Sequence, residues 1–236
     1  MQRSSTEIAV VTGARRGLGL GTARALAREG LHVIVTARDE QRAAQGVAAL
    51  RSEGLHAEGR ALDVASDDSV DAFFDWLDDT HGRIDVLVNN AGRIFEAGRS
   101  GTFEPPAALL LEAIDNNALS AYRTIRRALP RMNARGYGRV VNVSSGMGAL
   151  TDMGAGYPAY RASKTVMSAI TRLAANETRG DVKVNIVCPG WVRTDMGGPS
   201  ATRDLDEGVA SIMWAARLPA SGPNGGFFRD GKRIDW

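Results

Sequence analysis

The sequence predicts a doubly wound α/β domain, a parallel β-sheet with helices packed on both faces. Three observations predict it. Short β-branched runs alternate with amphipathic helical stretches along the chain. The runs are apolar on both faces, as strands buried between two helical layers must be. Clusters of Gly, Asn, Ser and Pro follow several of these runs, which is where open α/β sheets bind their ligands.

EIAVVT (7–12) reads as a buried strand, followed by a glycine-rich turn and a helix from about 17 to 29 that Gly30 caps. LHVIVTA (31–37) is a second strand. Residues 39–53 form a helix with Ala43, Val47 and Leu50 on its apolar face and Gly54 after it. HAEGRALDV holds a third strand, with a helix at about 67–80, and IDVLVNN (84–90) is the fourth strand. One long helix is expected over about 105–134, opened by Pro105 and Pro106, whose fixed φ suits a first turn. GRVVNVSS (138–145) is the fifth strand, 158–178 a helix, VKVNIVC (182–188) the sixth strand, 203–217 a helix, and GGFF (225–228) a seventh strand. No linker, internal repeat or low-complexity stretch interrupts the pattern, so residues 1–236 are expected to form one domain.

Composition excludes several classes. Hydrophobic residues make up 44% of the 236 and charged residues 24%, which rules out disordered, collagen-like and coiled-coil chains. No apolar run is long enough to span a membrane, and the polar MQRSSTE opening lacks a secretory pattern. The single cysteine, Cys188, allows no internal disulfide and suits a reducing compartment, so a cytoplasmic location is expected. The net charge is only +2, the arginines are scattered from Arg3 to Arg233, and the acidic run from Asp67 to Asp79 breaks any basic stripe. A mixed-sign solvated surface fits better than a nucleic-acid-binding one.

The first strand ends in Thr12-Gly13-Ala14-Arg15-Arg16-Gly17-Leu18-Gly19. Glycines between a strand and a helix let the backbone turn tightly against a pyrophosphate, and the helix N-terminus supplies amides and partial positive charge. The common G-x-G-x-x-G spacing fails, since Thr22 and Arg24 occupy the positions where the last glycine would fall. The P-loop fails as well, for want of a following Lys-Ser/Thr pair.

Four motifs in order then resemble the short-chain dehydrogenase/reductase family, over residues 7 to about 230. They are T-G-x-x-x-G-x-G at Thr12–Gly19, Asn89-Asn90-Ala91-Gly92 after the fourth strand, Y-x-x-x-K at Tyr160–Lys164, and Pro189-Gly190-Trp191-Val192-Arg193-Thr194 after the sixth. The tail, with PGWVRTDMGG and FFRDGKRIDW, is similar to the carbonyl-reductase-like branch. The resemblance implies a Rossmann-type fold, a nicotinamide cofactor and hydride transfer to or from a carbonyl carbon.

Residue chemistry agrees with that implication. Tyr160 and Lys164 share a helical face, and an ammonium beside a phenol is expected to lower its pKa. Tyr157 has no such partner, since Arg161 stands four residues on. Ser145 ends the fifth strand and matches the family's catalytic serine, with Ser144 as the alternative. Its gap of fifteen residues to Tyr160 is two more than the family's usual spacing. Asn117 shares its face with Leu110, Ala113, Ala121 and Thr124 and is expected to be buried, whereas Asn116 lies on the face of Glu112, Arg123 and Arg127. The family's helical asparagine, which holds a water in a proton relay, matches Asn117.

By the same resemblance Gly13, Arg15, Arg16, Gly17, Leu18 and Gly19 hold the dinucleotide phosphates. Asp63 and Val64 contact the adenine beside Asn90, Ala91 and Gly92. Pro189, Gly190, Val192 and Thr194 face the nicotinamide, Thr194 through its carboxamide. NADP(H) is expected over NAD(H). The place of the acid that bonds a ribose 2′-hydroxyl holds Ala37, Arg38 follows where a guanidinium grips a phosphate, and Arg16 is a second basic group; Asp39 is the contrary residue. No metal is expected. Met147, Met153, Tyr157, Trp191 and Met196 are pocket candidates that serve equally as packing. The long insertion of the family's monomeric carbonyl reductases is missing between Ser145 and Tyr160, which favours a homodimer or homotetramer. A nucleotide-sensing regulator on the same fold is the rival reading; it has no need of the four catalytic positions, all filled here.

Overall fold

A computed structural model describes residues 6–96 and 101–236 of the chain; Arg3, the first of the scattered arginines, lies outside them. Among the described residues, eight strands form one sheet, in the order β3-β2-β1-β4-β5-β6-β7-β8. They are β1 (Ile8–Val11), β2 (His32–Ala37), β3 (Ala57–Ala61), β4 (Val86–Asn89), β5 (Tyr137–Val143), β6 (Asp181–Val187), β7 (Phe227–Arg229) and β8 (Lys232–Arg233). All neighbours pair in parallel except β8, which turns back antiparallel on β7. This eighth strand corrects the expected seven; two basic residues carry no strand signature of their own.

The helices are α1 (Gly17–Arg28), α2 (Glu40–Arg51), α3 (Asp67–Thr80), α4 (Ala107–Ile114), α5 (Ser120–Arg135), α6 (Pro158–Asn176) and α7 (Leu205–Ala216). Alternate strand residues feed opposite cores. Val10, Ile34, Leu87, Val140 and Ile186 pack towards Phe73, Phe74, Ile125 and Met167 of α3, α5 and α6. Val11, Val35, Val88, Val141 and Val187 pack towards Ala23, Leu26, Val47 and Ile212 of α1, α2 and α7. Because the strands are apolar on both faces, both layers of helices are obligatory, as the alternation of the sequence predicts.

The helix expected over 105–134 is not continuous. A π-helical turn, Asp115–Leu119, separates α4 from α5. The extra residue in that turn re-aims the side chains that follow, a device often found at functional sites. Asn117 is fully buried there and Asn116 half-buried, in line with the faces assigned from the sequence.

On the outer flank, α5 meets α3 through a ladder of ion pairs. Arg123 reaches Asp67 at 3.2 Å, Arg126 and Arg127 reach Asp71 at 2.9 and 2.6 Å, and Arg131 grips Asp78. Four acids of the run, Asp67, Asp71, Asp75 and Asp78, are therefore matched by arginines of this same chain. No helix among the described residues is long and apolar enough to cross a membrane.

Candidate active site

The sheet order reverses between β1 and β4, and the glycine turn sits at the carboxyl end of β1 beside that reversal. Gly13 and Gly17 hold φ of +63° and +57°, which side-chain-bearing residues avoid. A Cβ on Gly13 would stand 3.1 Å from the Ala91 Cα, and one on Gly19 would stand 2.5 Å from Asn90 Nδ2. The turn is thus pressed against the end of β4. Asn90 locks it there: its Nδ2 donates to the carbonyls of Thr12 (2.9 Å) and Gly13 (3.2 Å), while the amides of Asn90 and Ala91 both donate to Thr12 Oγ1 at 3.0 Å. No side chain among the described residues caps the start of α1, so its first amides stay available to an anion.

Around the rim, Arg15 donates to Gln45 at 3.3 Å, and Arg16 pairs with Asp195 on the loop after β6. Arg38, just beyond β2, is exposed and makes no ion pair among the described residues. Asp39 is committed elsewhere: its carboxylate accepts from the Arg42 amide at 2.8 Å as the N-cap of α2. Asp63 accepts from the Ala65 amide at 3.1 Å beside the buried Val64, while Ser66 caps α3. Thr194 lies against Gly17, its Cγ2 3.6 Å from where a Cβ would stand, and its Oγ1 accepts from the Gly197 amide at 3.2 Å.

Ser145, Tyr160 and Lys164 meet where β5 ends against α6. Lys164 is 4% exposed and its Nζ donates to the Val143 carbonyl at 2.9 Å. It passes between two glycines: a Cβ on Gly148 would stand 2.6 Å from Lys164 Cβ, and one on Gly92 would stand 3.5 Å from Nζ. Ser145 Oγ accepts from the Met147 amide at 3.2 Å and is hydrogen-bonded with Tyr160. Ser144 Oγ is buried with no partner among the described residues. Asn117 stands behind Gly92. Its Oδ1 accepts from the Arg93 amide at 2.9 Å, and its Nδ2 donates to the Arg93 carbonyl (2.9 Å) and to Ser163 Oγ (3.0 Å).

The electrostatics correct one expectation. Burial pushes the Tyr160 phenol up to about 12, against a smaller lowering by the Ser145 hydrogen bond. Burial also brings the Lys164 ammonium down to about 8. Lys164 does not supply the expected lowering of the phenol: its Nζ donates to the Val143 carbonyl and stands 5.7 Å from the Tyr160 ring centre, and the loss of water around both groups dominates. The phenol is therefore neutral at rest and able to give a proton.

A cavity of about 710 Å³ opens over this cluster. Its wall includes Leu18, Asn90, Gly92, Ser144, Ser145, Tyr160, Lys164, Pro189, Gly190, Val192 and Thr194. Of the pocket candidates, Met147, Tyr157, Trp191 and Met196 line it, and Met153 does not. Glu96, Cys188 and Arg229 also take part and carried no sequence signature. Glu96 is 8% exposed, and its Oε1 accepts from the amides of Ala159 (2.8 Å) and Tyr160 (3.1 Å) at the start of α6. Cys188 Sγ accepts from the Gly146 amide and from Arg229 Nη2, each at 3.1 Å, so both residues shape the floor beside Ser145. Tyr157 lines the cavity at φ +53°, a strained conformation for a tyrosine that the Gly156-Tyr157-Pro158 sequence only hints at.

A glycine cradle at the switch point, opening into a cavity lined by Ser145, Tyr160 and Lys164, defines a dinucleotide-binding α/β oxidoreductase. The family model described as short chain dehydrogenase matches residues 7–204, and the chain belongs to that family, whose cofactor is a nicotinamide dinucleotide. A protein of Streptomyces virginiae assigned as the ketoacyl reductase of the monensin polyketide synthase is 40% identical, over 93% of this chain and 85% of its own. The NADPH-named carbonyl reductase 1 of Mus musculus is 33% identical, with 99% of each chain covered. Its alignment spans 280 positions, so the mouse enzyme carries residues that this chain of 236 lacks. A variant of actinorhodin polyketide ketoreductase solved with NADPH superposes with a TM-score of 0.85 at 31% identity, over 97% of both chains.

Proposed function

We propose that the chain reduces ketones or aldehydes to alcohols with NADPH. The observation that carries this reading is the convergence of Ser145, Tyr160 and Lys164 on one cavity beside the glycine cradle. Tyr160, neutral at rest, protonates the carbonyl oxygen, and Ser145 Oγ donates a hydrogen bond to the same oxygen. Lys164 holds the ribose hydroxyls with the protons that Val143 leaves free. Asn117 fixes the backbone after Gly92 against α6 and so sets the wall that Lys164 faces. When bound, the nicotinamide supplies the hydride.

Three features fit such a cofactor. The cradle excludes side chains at Gly13 and Gly17, the first amides of α1 are uncapped, and the orphaned Ser144 Oγ lies in the cavity wall. Ala37 at the end of β2, the unpaired Arg38 and the engagement of Asp39 in capping α2 favour a 2′-phosphate, with Arg15 and Arg16 at the same rim. Asp63 and Val64 with Asn90 and Ala91 serve the adenine side, and Pro189, Gly190, Val192 and Thr194 the nicotinamide side. The similar mouse carbonyl reductase, which is NADPH-linked, and the similar ketoreductase solved with NADPH support the same choice.

The partner is a second copy of the chain, or three. A groove of about 950 Å³ runs between α5 and α6, lined by Ile125, Leu129, Ile170 and the exposed Tyr122 and Leu173. An apolar face of this size on two adjacent helices suits a symmetric contact. The working place is the cytoplasm, where the lone, buried Cys188 stays a thiol. A panel of ketones, aldehydes and alcohols, followed by nicotinamide absorbance with each cofactor, tests the activity. Absence of turnover across the panel with either cofactor would refute it.

A further inference from the structure

At the amino ends of the strands, away from the catalytic cavity, His32, Glu58 and His81 converge. His32 opens β2, Glu58 is in β3 and His81 follows α3. In the parallel register Glu58 is paired with Ile34, two residues past His32, so both side chains leave the sheet on the face that α3 covers. Glu58 Oε2 lies 3.2 Å from His32 Nε2 and 3.0 Å from His81 Nε2, and the three ligating atoms all lie within 4.8 Å of one another. The chain has only three histidines, and two of them meet on this one oxygen.

We infer that His32 Nε2, His81 Nε2 and Glu58 Oε2 form a binding site for a divalent transition ion of the zinc class, with water completing the shell. Imidazole nitrogen and carboxylate oxygen are the donors such ions prefer. Bonds of about 2.0–2.1 Å around a tetrahedral ion place neighbouring ligand atoms roughly 3.3 Å apart, close to the spacing between Glu58 and each histidine. The side chains are 36%, 35% and 15% exposed for His32, Glu58 and His81, which leaves an entry path and room for water. The nearby cation does not occupy the carboxylate: the Arg60 guanidinium sits over the Trp76 ring at 4.7 Å and 3.8 Å from Glu40. Trp76 also packs edge-on against His81, with ring centres 5.6 Å apart, and restricts that imidazole. A bound ion would tie the sheet-edge strand β3 to β2 and to the end of α3. The alternative is that both imidazoles simply donate N–H bonds to Glu58; an ion takes the place of those two protons.

The test is a Zn²⁺ titration of chelator-treated full chain by calorimetry, with histidine resonances followed by NMR. One equivalent should bind with micromolar affinity or better, shifting two of the three histidine signals and sparing His56. Glu58→Gln and His81→Gln should each weaken binding at least about tenfold, and His56→Gln should leave it unchanged. Saturating Zn²⁺, but not Mg²⁺, should raise the wild-type melting temperature by about 5 °C. That measurement stands even where a variant folds poorly. No saturable Zn²⁺ binding, a response centred on His56, or equal affinity in His81→Gln would overturn the site and leave the hydrogen-bonded trio.

Discussion

The Glu96 carboxylate holds the catalytic tyrosine candidate by its backbone: Oε1 accepts from the Tyr160 amide at 3.1 Å and from the Ala159 amide at 2.8 Å. The start of α6 has no side-chain cap of its own, so a residue from the segment after Gly92 supplies one. Its other oxygen, Oε2, is buried without a partner among the described residues, and its charge adds to the upward push on the Tyr160 phenol.

Two substitutions separate those roles. Glu96→Ala should destabilise the fold by about 1–2 kcal/mol in urea melts, the usual worth of a lost N-cap. Glu96→Gln keeps an acceptor but removes the charge. Its alcohol-oxidation profile should move to lower pH while urea stability changes less. An unmoved profile would confine Glu96 to capping.

Tyr160→Phe should lower turnover about 10²–10⁴-fold, because the phenol is the group assigned to proton transfer and the ring remains to fill its place. NADPH binding, followed by fluorescence, should persist. Retention of more than about a tenth of the wild-type rate removes the assignment.

Lys164 gives a stability signature. Its pKa is 10.5 when unperturbed and about 8 in the fold, so between those values the unfolded chain binds the extra proton and stability rises with pH. Tyr160, moved from 10.0 up to about 12, acts oppositely, and stability falls over that higher window. Lys164→Met should abolish the rise between pH 8 and 10.5, where its range lies. It should also gain up to about 3 kcal/mol at neutral pH by removing a poorly solvated ammonium, at the expense of turnover. Denaturant melts at several pH values read both effects.

Arg38→Ala should weaken NADPH binding about tenfold or more, the worth of a charge-assisted contact to phosphate, and leave NADH nearly unchanged. Equal losses, or a wild-type preference for NADH, would reverse the cofactor assignment.

Leu173→Glu places a charge on the groove between α5 and α6, where Leu173 is 67% exposed. Light scattering should then show monomers, and the wild type should show the proposed dimers or tetramers. A wild-type monomer at all concentrations ends that proposal.

Strands such as Ile8–Val11 and Val86–Asn89 were legible because apolar β-branched runs have few other uses, and the glycine turn because its residue types answer to backbone geometry. Asn117 was legible by its helical face, yet the π-turn around it was not, since one extra residue barely disturbs a helical pattern. Glu96 was invisible because it acts on α6 from a segment without periodicity, 64 residues before Tyr160. The direction of the Tyr160 shift was misread because adjacency of Lys164 is written in the sequence, whereas lost water is a property of the packed site.

The ladder between α3 and α5 has a consequence for how the cofactor arrives. Arg123, Arg126, Arg127 and Arg131 spend their charge on Asp67, Asp71, Asp75 and Asp78 across a few ångströms, so the four pairs nearly cancel at a distance. On the proposed NADPH reading, a diffusing polyanion is drawn instead towards the exposed Arg38 just beyond β2. Association should therefore slow as ionic strength rises, in proportion to charge at the rim. Neutralising a whole rung of the ladder, acid and base together, should leave the encounter rate untouched.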